Sequence, residues 1–403
     1  MANRRGEGVA VGTDAGLRQS LAACAFLLAL AQPEGARGEP PSGDAAILAE
    51  PHEGAHIDEL RLRMTSYYQD GHGYQSQAGP LTGPGSERAL IVQPMILVGI
   101  RQSSRIHHEL VVPVDIVSAA STNGVDVVSH ASGVNEAVGV EWTTRFDASH
   151  EDQITTRLAW HEEEPFGSGA FALGYTRSLA EDNASLGISG QATFDRFDFL
   201  QPNGDRYGRR NRTSLNGNLS FSQLLSPTCV FDASYGLTFQ QGTLQTTYDS
   251  VPLVGGRARA VELFPRSRTR HALQARLAQH LPGSRTTLRA AYRYYWDSFE
   301  LTAQSVELEV YQYLTRRFVL RASYRYYTQT GVDFFASAFP SDIGPAVPRT
   351  SDSDLAPFHA HEPALKLLWL APGLSTLDVS YVHYARSNGL FANIVSFGYG
   401  ERF

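Results

Sequence analysis

Three consecutive segments in the last third of the 403-residue sequence carry arginine or glutamate at every second or fourth position. These charged residues are Arg289, Arg293, Glu307, Glu309, Arg321 and Arg325. Side chains two residues apart in a strand share a face, and neighbouring strands lie about 4.8 Å apart. If the three segments are neighbouring strands, the six side chains would therefore form an Arg–Glu–Arg ladder across them. Such a ladder either selects solutes by charge in a pore or braces and partly fills a barrel interior.

Histidine clusters are the pattern that most suggests metal ligands. His107 and His108 are adjacent, so on a strand they face opposite ways and cannot chelate one ion together. His359 and His361 can share a face, with Asp352 nearby, but we interpret them as solvated loop residues. We therefore predict no metal and no cofactor.

Catalytic motifs are absent from the sequence. There is no Gly-x-Ser-x-Gly elbow, no His-Glu-x-x-His and no Gly-rich phosphate loop. We predict that the protein is not an enzyme, and a hydrolase site assembled at a barrel rim is the remaining catalytic alternative. The net charge of −7 gives a nucleic-acid partner no electrostatic support.

Hydropathy has a period of two from residue 58 onward, as where Leu60, Leu62 and Met64 alternate with arginine and threonine. This pattern predicts strands with one apolar and one polar face. The segments run about 11–15 residues, the length that a tilted strand needs to cross a membrane. The predicted strands are 58–69, 87–101, 105–118, 134–147, 152–162, 167–178, 184–195, 211–224, 228–240, 268–281, 286–297, 302–313, 317–329, 361–371, 375–386 and 389–403.

Long connections alternate with tight turns along the chain. The long ones are 70–86, 119–133, 196–210, 241–267 and 330–360, and tight turns such as Pro282-Gly283 and Pro372-Gly373 lie between them. Bacterial outer-membrane barrels have an even number of strands, short periplasmic turns and longer extracellular loops. The alternation therefore predicts a barrel with both termini in the periplasm and the long loops outside the cell.

Residues 1–38 have the pattern of a secretory signal peptide. An arginine-containing start precedes an apolar run at Leu21–Ala31, and small residues offer cleavage positions from about 31 to 38. This run is too short for a transmembrane helix, which needs about 20 apolar residues. We expect a flexible periplasmic leader at 39–57 and an outer-membrane barrel at 58–403.

Aromatic residues predict two further features of the barrel. Phe403, Tyr399 and Phe397 share one face of the last predicted strand, which is typical of the signal that barrel proteins present to the outer-membrane insertion machinery. Five other aromatic residues predict a girdle at the membrane interface, with a carbohydrate-stacking platform as the alternative. They are Tyr292, Tyr294, Trp296, Tyr324 and Tyr326.

Several segments are similar to a known bacterial family. Its most specific features here are the Tyr-Arg-Tyr-Tyr motifs at 292–295 and 324–327, the second followed by Asp333-Phe334-Phe335. ELVVPVDIVSAASTNGVDVVSHASGV at 109–134 and ELFPRSRT at 262–269 add to the likeness. Together these segments resemble the family catalogued as domain of unknown function 3570, over most of residues 58–403. The resemblance implies an outer-membrane barrel and assigns no catalytic residue.

The sequence as a whole predicts an all-β fold, a single antiparallel transmembrane β-barrel of about sixteen strands in the bacterial outer membrane. We expect a porin-like channel for small hydrophilic solutes with a charged lumen wall. The alternative is an outer-membrane scaffold or surface-interaction protein with a filled lumen. Expected partners are outer-membrane lipid, lipopolysaccharide and the barrel-insertion machinery.

Overall fold

The computed structural model describes residues 54–71, 89–119, 134–163, 166–200, 206–245, 250–255, 258–373 and 375–403. The predicted signal peptide, and the leader up to residue 53, lie outside the described residues. The described chain is nearly all β-strand. In these ranges no helix has the length and hydropathy that crossing a bilayer requires.

Sixteen long strands form one closed antiparallel barrel, in which chain neighbours pair and the last strand pairs with the first. This confirms the predicted fold. Two short strands, β10 and β11, form a separate hairpin within one loop. The strands are β1 His56–Gly71, β2 Ala89–Arg101, β3 Ile106–Ala119, β4 Val134–Asp147, β5 Asp152–Glu163, β6 Phe166–Leu179, β7 Ala184–Leu200, β8 Arg206–Ser226, β9 Cys229–Gly242, β10 Ser250–Pro252, β11 Arg259–Val261, β12 Ser267–Leu281, β13 Thr286–Asp297, β14 Thr302–Tyr313, β15 Phe318–Gln329, β16 Phe358–Leu370, β17 Thr376–Arg386 and β18 Leu390–Arg402.

The barrel closes where β1 pairs with β18. These strands are in register from Glu59 opposite Arg402 to Gly71 opposite Leu390. Each of the sixteen barrel strands consequently has two hydrogen-bonded neighbours. A sheet inside a bilayer needs this closure because lipid offers no hydrogen bonds to a free edge.

Large apolar side chains cover the outside of the barrel. Ile188, Leu308 and Leu365 are 61%, 53% and 54% exposed, and the residues between them in sequence face the interior. Leaving such a side chain in water rather than burying it forgoes about 1.5–3 kcal/mol, whereas acyl chains provide an apolar environment. The period-two pattern thus produces an outer surface suited to lipid.

The two ends of the barrel differ in their connections. One end, called here the turn end, has only short ones: 102–105, 148–151, 180–183, 227–228, 282–285, 314–317 and 371–375. In the last of these, Gly373 has a φ of +85°, which glycine adopts without steric cost. The opposite end, called the loop end, has the longest connections: 72–88, 120–133, 243–266 and 330–357.

β7 and β8 reach further at the loop end than the sequence predicts. The predicted long loop at 196–210 was wrong, because β7 continues to Leu200 and β8 begins at Arg206. Across this hairpin the Arg212 Nε donates to Asp195 Oδ2 at 2.6 Å. Cross-strand pairs of this kind stabilise a sheet even where charged residues interrupt the apolar alternation.

Two loops fold together at the loop end, and their described residues, within 243–266 and 330–357, are called the cap. Backbone hydrogen bonds join Leu263 to Arg349 in both directions, at 3.1 and 2.8 Å. The sequence predicts only long connections at 241–267 and 330–360 and does not predict that they fold together.

An apolar cluster attaches the cap to the barrel. Its buried members are Phe264, Phe299, Leu301, Ala303, Val332 and Leu355. Tyr295 on β13 and Tyr327 on β15, which face the interior, pack against it. The cap therefore lies against the inner face of the barrel mouth rather than extending freely from it.

Candidate functional site

The six residues of the predicted ladder lie on the inner face of β13, β14 and β15. Leu308 is 53% exposed on the outer surface, so its neighbours Glu307 and Glu309 face the lumen. In the strand register Arg289 is opposite Glu309, and Arg325 is opposite Glu307. The topology thus places the charges on adjacent strands, as the sequence spacing predicts.

Glu309 makes the central contacts of the ladder. Its Oε2 lies 3.7 Å from Arg289 Nη1, and its Oε1 accepts a hydrogen bond from Arg321. The Tyr311 hydroxyl donates to Glu309 at 3.3 Å and accepts from Arg289 at 3.1 Å. Both guanidinium groups also lie over the Tyr311 ring. One carboxylate therefore holds two cations in place.

The other charges pair differently from the predicted ladder. Glu307 Oε1 lies 3.8 Å from Arg321 Nη2, whereas Arg325 donates to Glu362 on β16 at 2.9 Å. Arg293 forms no salt bridge within the described ranges. The ladder consequently extends one strand beyond the prediction and leaves Arg293 without an ionic partner.

Further charged pairs continue this surface around to the barrel seam. Lys366 Nζ lies 3.0 Å from Asp378 Oδ1, and Arg63 Nη2 lies 3.7 Å from the other oxygen of that carboxylate. Arg61 and Glu59 pair at 2.6 Å on β1. We call the inward-facing charged side chains of β13 to β17 and β1 the charged wall.

The strands facing the charged wall present mostly small polar side chains to the lumen. For example, the Thr238 hydroxyl donates to Asn216 Oδ1 at 2.7 Å. At the edge of this region Arg276 on β12 donates to Asp232 on β9 at 2.9 Å. Ion pairs also lie on other strands, such as Glu141 with Arg157 and Asp195 with Arg212, so charge is not confined to the charged wall.

The five predicted girdle residues lie on the outer face of β13 and β15, toward the loop end. Tyr294 and Trp296 stack with ring centroids 5.4 Å apart, and His271 on β12 stacks on Trp296 at 4.8 Å. The Tyr324 hydroxyl lies 2.6 Å from His361 Nδ1. Rings with an apolar body and a polar tip are enriched where lipid meets water. The complete set is Tyr292, Tyr294, Trp296, Tyr324 and Tyr326.

The remaining histidines are divided between the two faces of the barrel. His107 Nε2 lies 3.2 Å from Asp58 Oδ1 on the inner side, and His108 faces outward. His359 and His361 share the outer face, with ring centroids 5.7 Å apart. Among the residues that the structure describes, no three His, Cys, Asp or Glu side chains are grouped to hold a metal ion.

The aromatic residues of the last strand lie on its outer face. Phe397 and Phe403 are strongly exposed. The Tyr399 hydroxyl donates to Glu401 Oε2 at 2.5 Å, so this carboxylate on the apolar face has a hydrogen-bond donor.

Sequence reasoning missed a polar cluster where the cap meets the barrel. Arg268 Nε donates to Asp297 Oδ2 at 2.9 Å, and the Tyr295 hydroxyl donates to the same oxygen at 2.6 Å. In the cap, desolvation of the Asp352 carboxyl group, together with repulsion from Asp354, raises the pKa of Asp352 to about 7. No motif marks these residues, because loop folding brings them together.

A closed antiparallel barrel with an apolar outer band, an aromatic band near one end and a polar interior defines a β-barrel of the bacterial outer-membrane type. Residues 136–394 match the family described as "Protein of unknown function (DUF3570)". The match covers more than half of the chain, so the protein belongs to this family.

Several solved structures of outer-membrane proteins align with the chain at low sequence identity. The siderophore receptor PirA from Acinetobacter baumannii aligns at 9% identity and a TM-score of 0.45, over 82% of this chain and 53% of the receptor. A bacterial polysaccharide outer membrane secretin aligns at 9% identity and 0.47, over 85% and 98%. A BenF-like porin from Pseudomonas fluorescens Pf-5 aligns at 8% identity and 0.44, over 87% and 99%. The chain spans about half the length of the siderophore receptor. No curated protein sequence matches at a significant level.

Proposed function

We propose that the protein is an outer-membrane channel for small hydrophilic solutes, and that the charged wall discriminates among those solutes by charge. The observation that carries this proposal is the solvation of the charged wall. The Arg289, Glu307 and Arg321 side chains are 32%, 36% and 30% exposed, although they face the barrel interior. Charged groups in a filled interior would lose water at a cost of several kcal/mol per ion, whereas groups in a wetted passage keep it.

The outer surface supports the location and partners in this proposal. The apolar band would contact membrane lipid, and the aromatic band toward the loop end would lie at its outer interface, next to lipopolysaccharide. The turn end would then face the periplasm, and the insertion machinery would recognise the aromatic face of β18. No catalytic residue, cofactor or nucleic acid has a part in this function.

The cap favours a second candidate, a scaffold or surface-interaction protein that transports nothing. Its apolar cluster lies against the inner face of β13 to β15 and takes up space at the barrel mouth. A folded surface of this kind is also suited to contact another molecule, since binding residues are frequently carried by loops on a rigid scaffold.

Conductance measurements separate the two candidates. The protein would be purified from the outer-membrane fraction in detergent and added to a planar lipid bilayer, with heat-denatured protein as the control. Stepwise conductance is the expected result. A variant in which a short Gly-Ser linker replaces residues 333–353 of the cap would be measured beside the native protein. If neither the native protein nor this variant conducts, although both show the heat-dependent gel shift of a folded barrel, the scaffold replaces the channel.

A further inference from the structure

Three inward-facing arginines lie close together near the cap, and one of them, Arg270, has no ionic partner among the described residues. Arg270 lies on the inner face of β12, directly opposite Asp297 in the strand register. It forms no salt bridge with any described residue, and its buried Nε has no hydrogen-bond partner. Arg268 and Arg212 lie close to it, but each already has a carboxylate partner, Asp297 and Asp195 respectively.

Asp297 attracts Arg270 but offers it no free hydrogen-bond acceptor, because other donors already occupy its carboxylate. It accepts hydrogen bonds from Arg268, from the Tyr295 hydroxyl, and from the backbone N–H groups of Phe299 at 2.8 Å and Leu301 at 3.3 Å. A carboxylate offers about four lone-pair sites. The acceptor opposite Arg270 is therefore saturated by groups that fix the cap to the barrel.

Small residues lie opposite and beside Arg270 on the neighbouring strand. On β9 the residue opposite Arg270 is Thr238, and the next inward-facing residue is Gly236, opposite Ala272. A Cβ atom placed on Gly236 would meet nothing closer than 4.0 Å. Gly236 thus contributes no side chain to the inner face next to the position of Arg270.

We propose that Arg270 is a binding position for the carboxylate or phosphate group of a small anionic solute that enters the barrel from the loop end. This inference rests on the proposed channel and names its preferred class of solute. A guanidinium group binds either kind of anion through two parallel hydrogen bonds. A bound anion would also offset the cost of leaving a partly buried cation unpaired.

Arg293 provides a second position further into the lumen. It is opposite Gln274, four residues along β12 from Arg270, which corresponds to about 13 Å along the strand. It also lacks a salt bridge among the described residues. Two separate positions allow an anion to pass from one to the next without being held too tightly at either.

Binding can be tested without assuming conduction. The unfolding temperature of detergent-purified protein would be followed against inorganic phosphate, with chloride as the balancing salt at constant ionic strength. A ligand that binds only the folded state stabilises it by RT ln(1 + L/Kd), where L is the free ligand concentration, so the unfolding temperature keeps rising with ligand concentration above the Kd. We expect phosphate to stabilise the native protein and Arg270→Gln to weaken the apparent phosphate affinity at least tenfold. Arg270→Lys should give an intermediate loss, because it keeps the charge but not the planar group.

Arg276→Gln is the matched control, since Arg276 faces the lumen on the same strand but is already paired with Asp232. It should keep the phosphate effect of the native protein. Equal phosphate effects in the native protein and in Arg270→Gln would show a general salt effect and overturn the site. A protein that never conducts but binds phosphate through Arg270 would retain the site and reject the channel.

Discussion

Replacing Glu307 and Glu309 together with glutamine tests whether the charged wall controls ion passage. The six ladder residues and Glu362 comprise four arginines and three glutamates, so replacing two of the glutamates changes their net charge from +1 to +3. At about 7 Å in a water-like medium, each added unit of charge changes the energy of a monovalent ion by about 0.6 kcal/mol. Screening roughly halves this at 0.1 M salt, where the Debye length is about 10 Å.

Two added charges therefore favour an anion by about 0.6 kcal/mol at 0.1 M salt and disfavour a cation by a similar amount. The ratio of anion to cation permeability should rise roughly eightfold at 0.1 M and about 25-fold at 0.01 M, where screening is weaker. Reversal potentials in salt gradients across a planar bilayer measure this ratio.

The matched control replaces Glu151 and Glu181, which lie in turns outside the lumen, with glutamine. It removes the same charge from the protein and should leave the permeability ratio unchanged. An open pore whose permeability ratio is the same with and without the Glu307/Glu309 replacement would refute the role of the charged wall. A protein with no conductance that instead loses thermal stability would show that the ladder braces a filled barrel.

Two further predictions concern the loops and the cap. Epitope tags within 241–267 or 330–360 should be labelled on intact cells, whereas tags at Pro282 or Pro372 should need permeabilised cells; labelling in the opposite pattern would invert the topology. Asp352 has a folded-state pKa of about 7, against about 3.9 in an unfolded chain, so between these values the folded state binds more protons. The free energy of unfolding of the cap should therefore fall as the pH rises from about 4 to about 7. Hydrogen exchange over 330–360 measures this, and Asp352→Asn should remove the dependence; an unchanged slope in that variant would assign it to another group.

The barrel could be predicted from sequence because the pattern that produces it can be recognised within each strand. Alternation between a lipid-facing and a lumen-facing residue repeats in every strand, and most strand ends lie within three residues of the prediction. The ladder followed from the same alternation, once β13, β14 and β15 were taken as neighbours. The exceptions, β7 and β8, extend through segments that carry charged side chains in place of apolar alternation, such as Asp198 and Arg209, which lie opposite each other with Arg209 Nε 3.7 Å from Asp198 Oδ1.

The cap and the choice of ionic partners could not be predicted, because they depend on contacts between distant parts of the chain. Glu262 and Thr350 form a buried hydrogen bond although they are 88 residues apart. Arg325 binds Glu362 rather than Glu307, which lies opposite it, since a long side chain reaches either neighbouring strand. The strand register restricts which residues can pair with Arg325, and the side-chain conformation decides which of them does.

The seam between β1 and β18 also bears on the order of the strands in the gene. The backbone N–H of Phe403 donates to the carbonyl of Asp58 at 3.0 Å, so the two ends of the barrel domain are adjacent at the turn end. Each neighbouring pair of strands makes the same kind of antiparallel contact as this seam. A circular permutation that joins these ends and opens the chain at another short turn would preserve every strand pairing. The architecture thus has no structurally privileged first strand, and the present starting point is one of eight equivalent openings at that end.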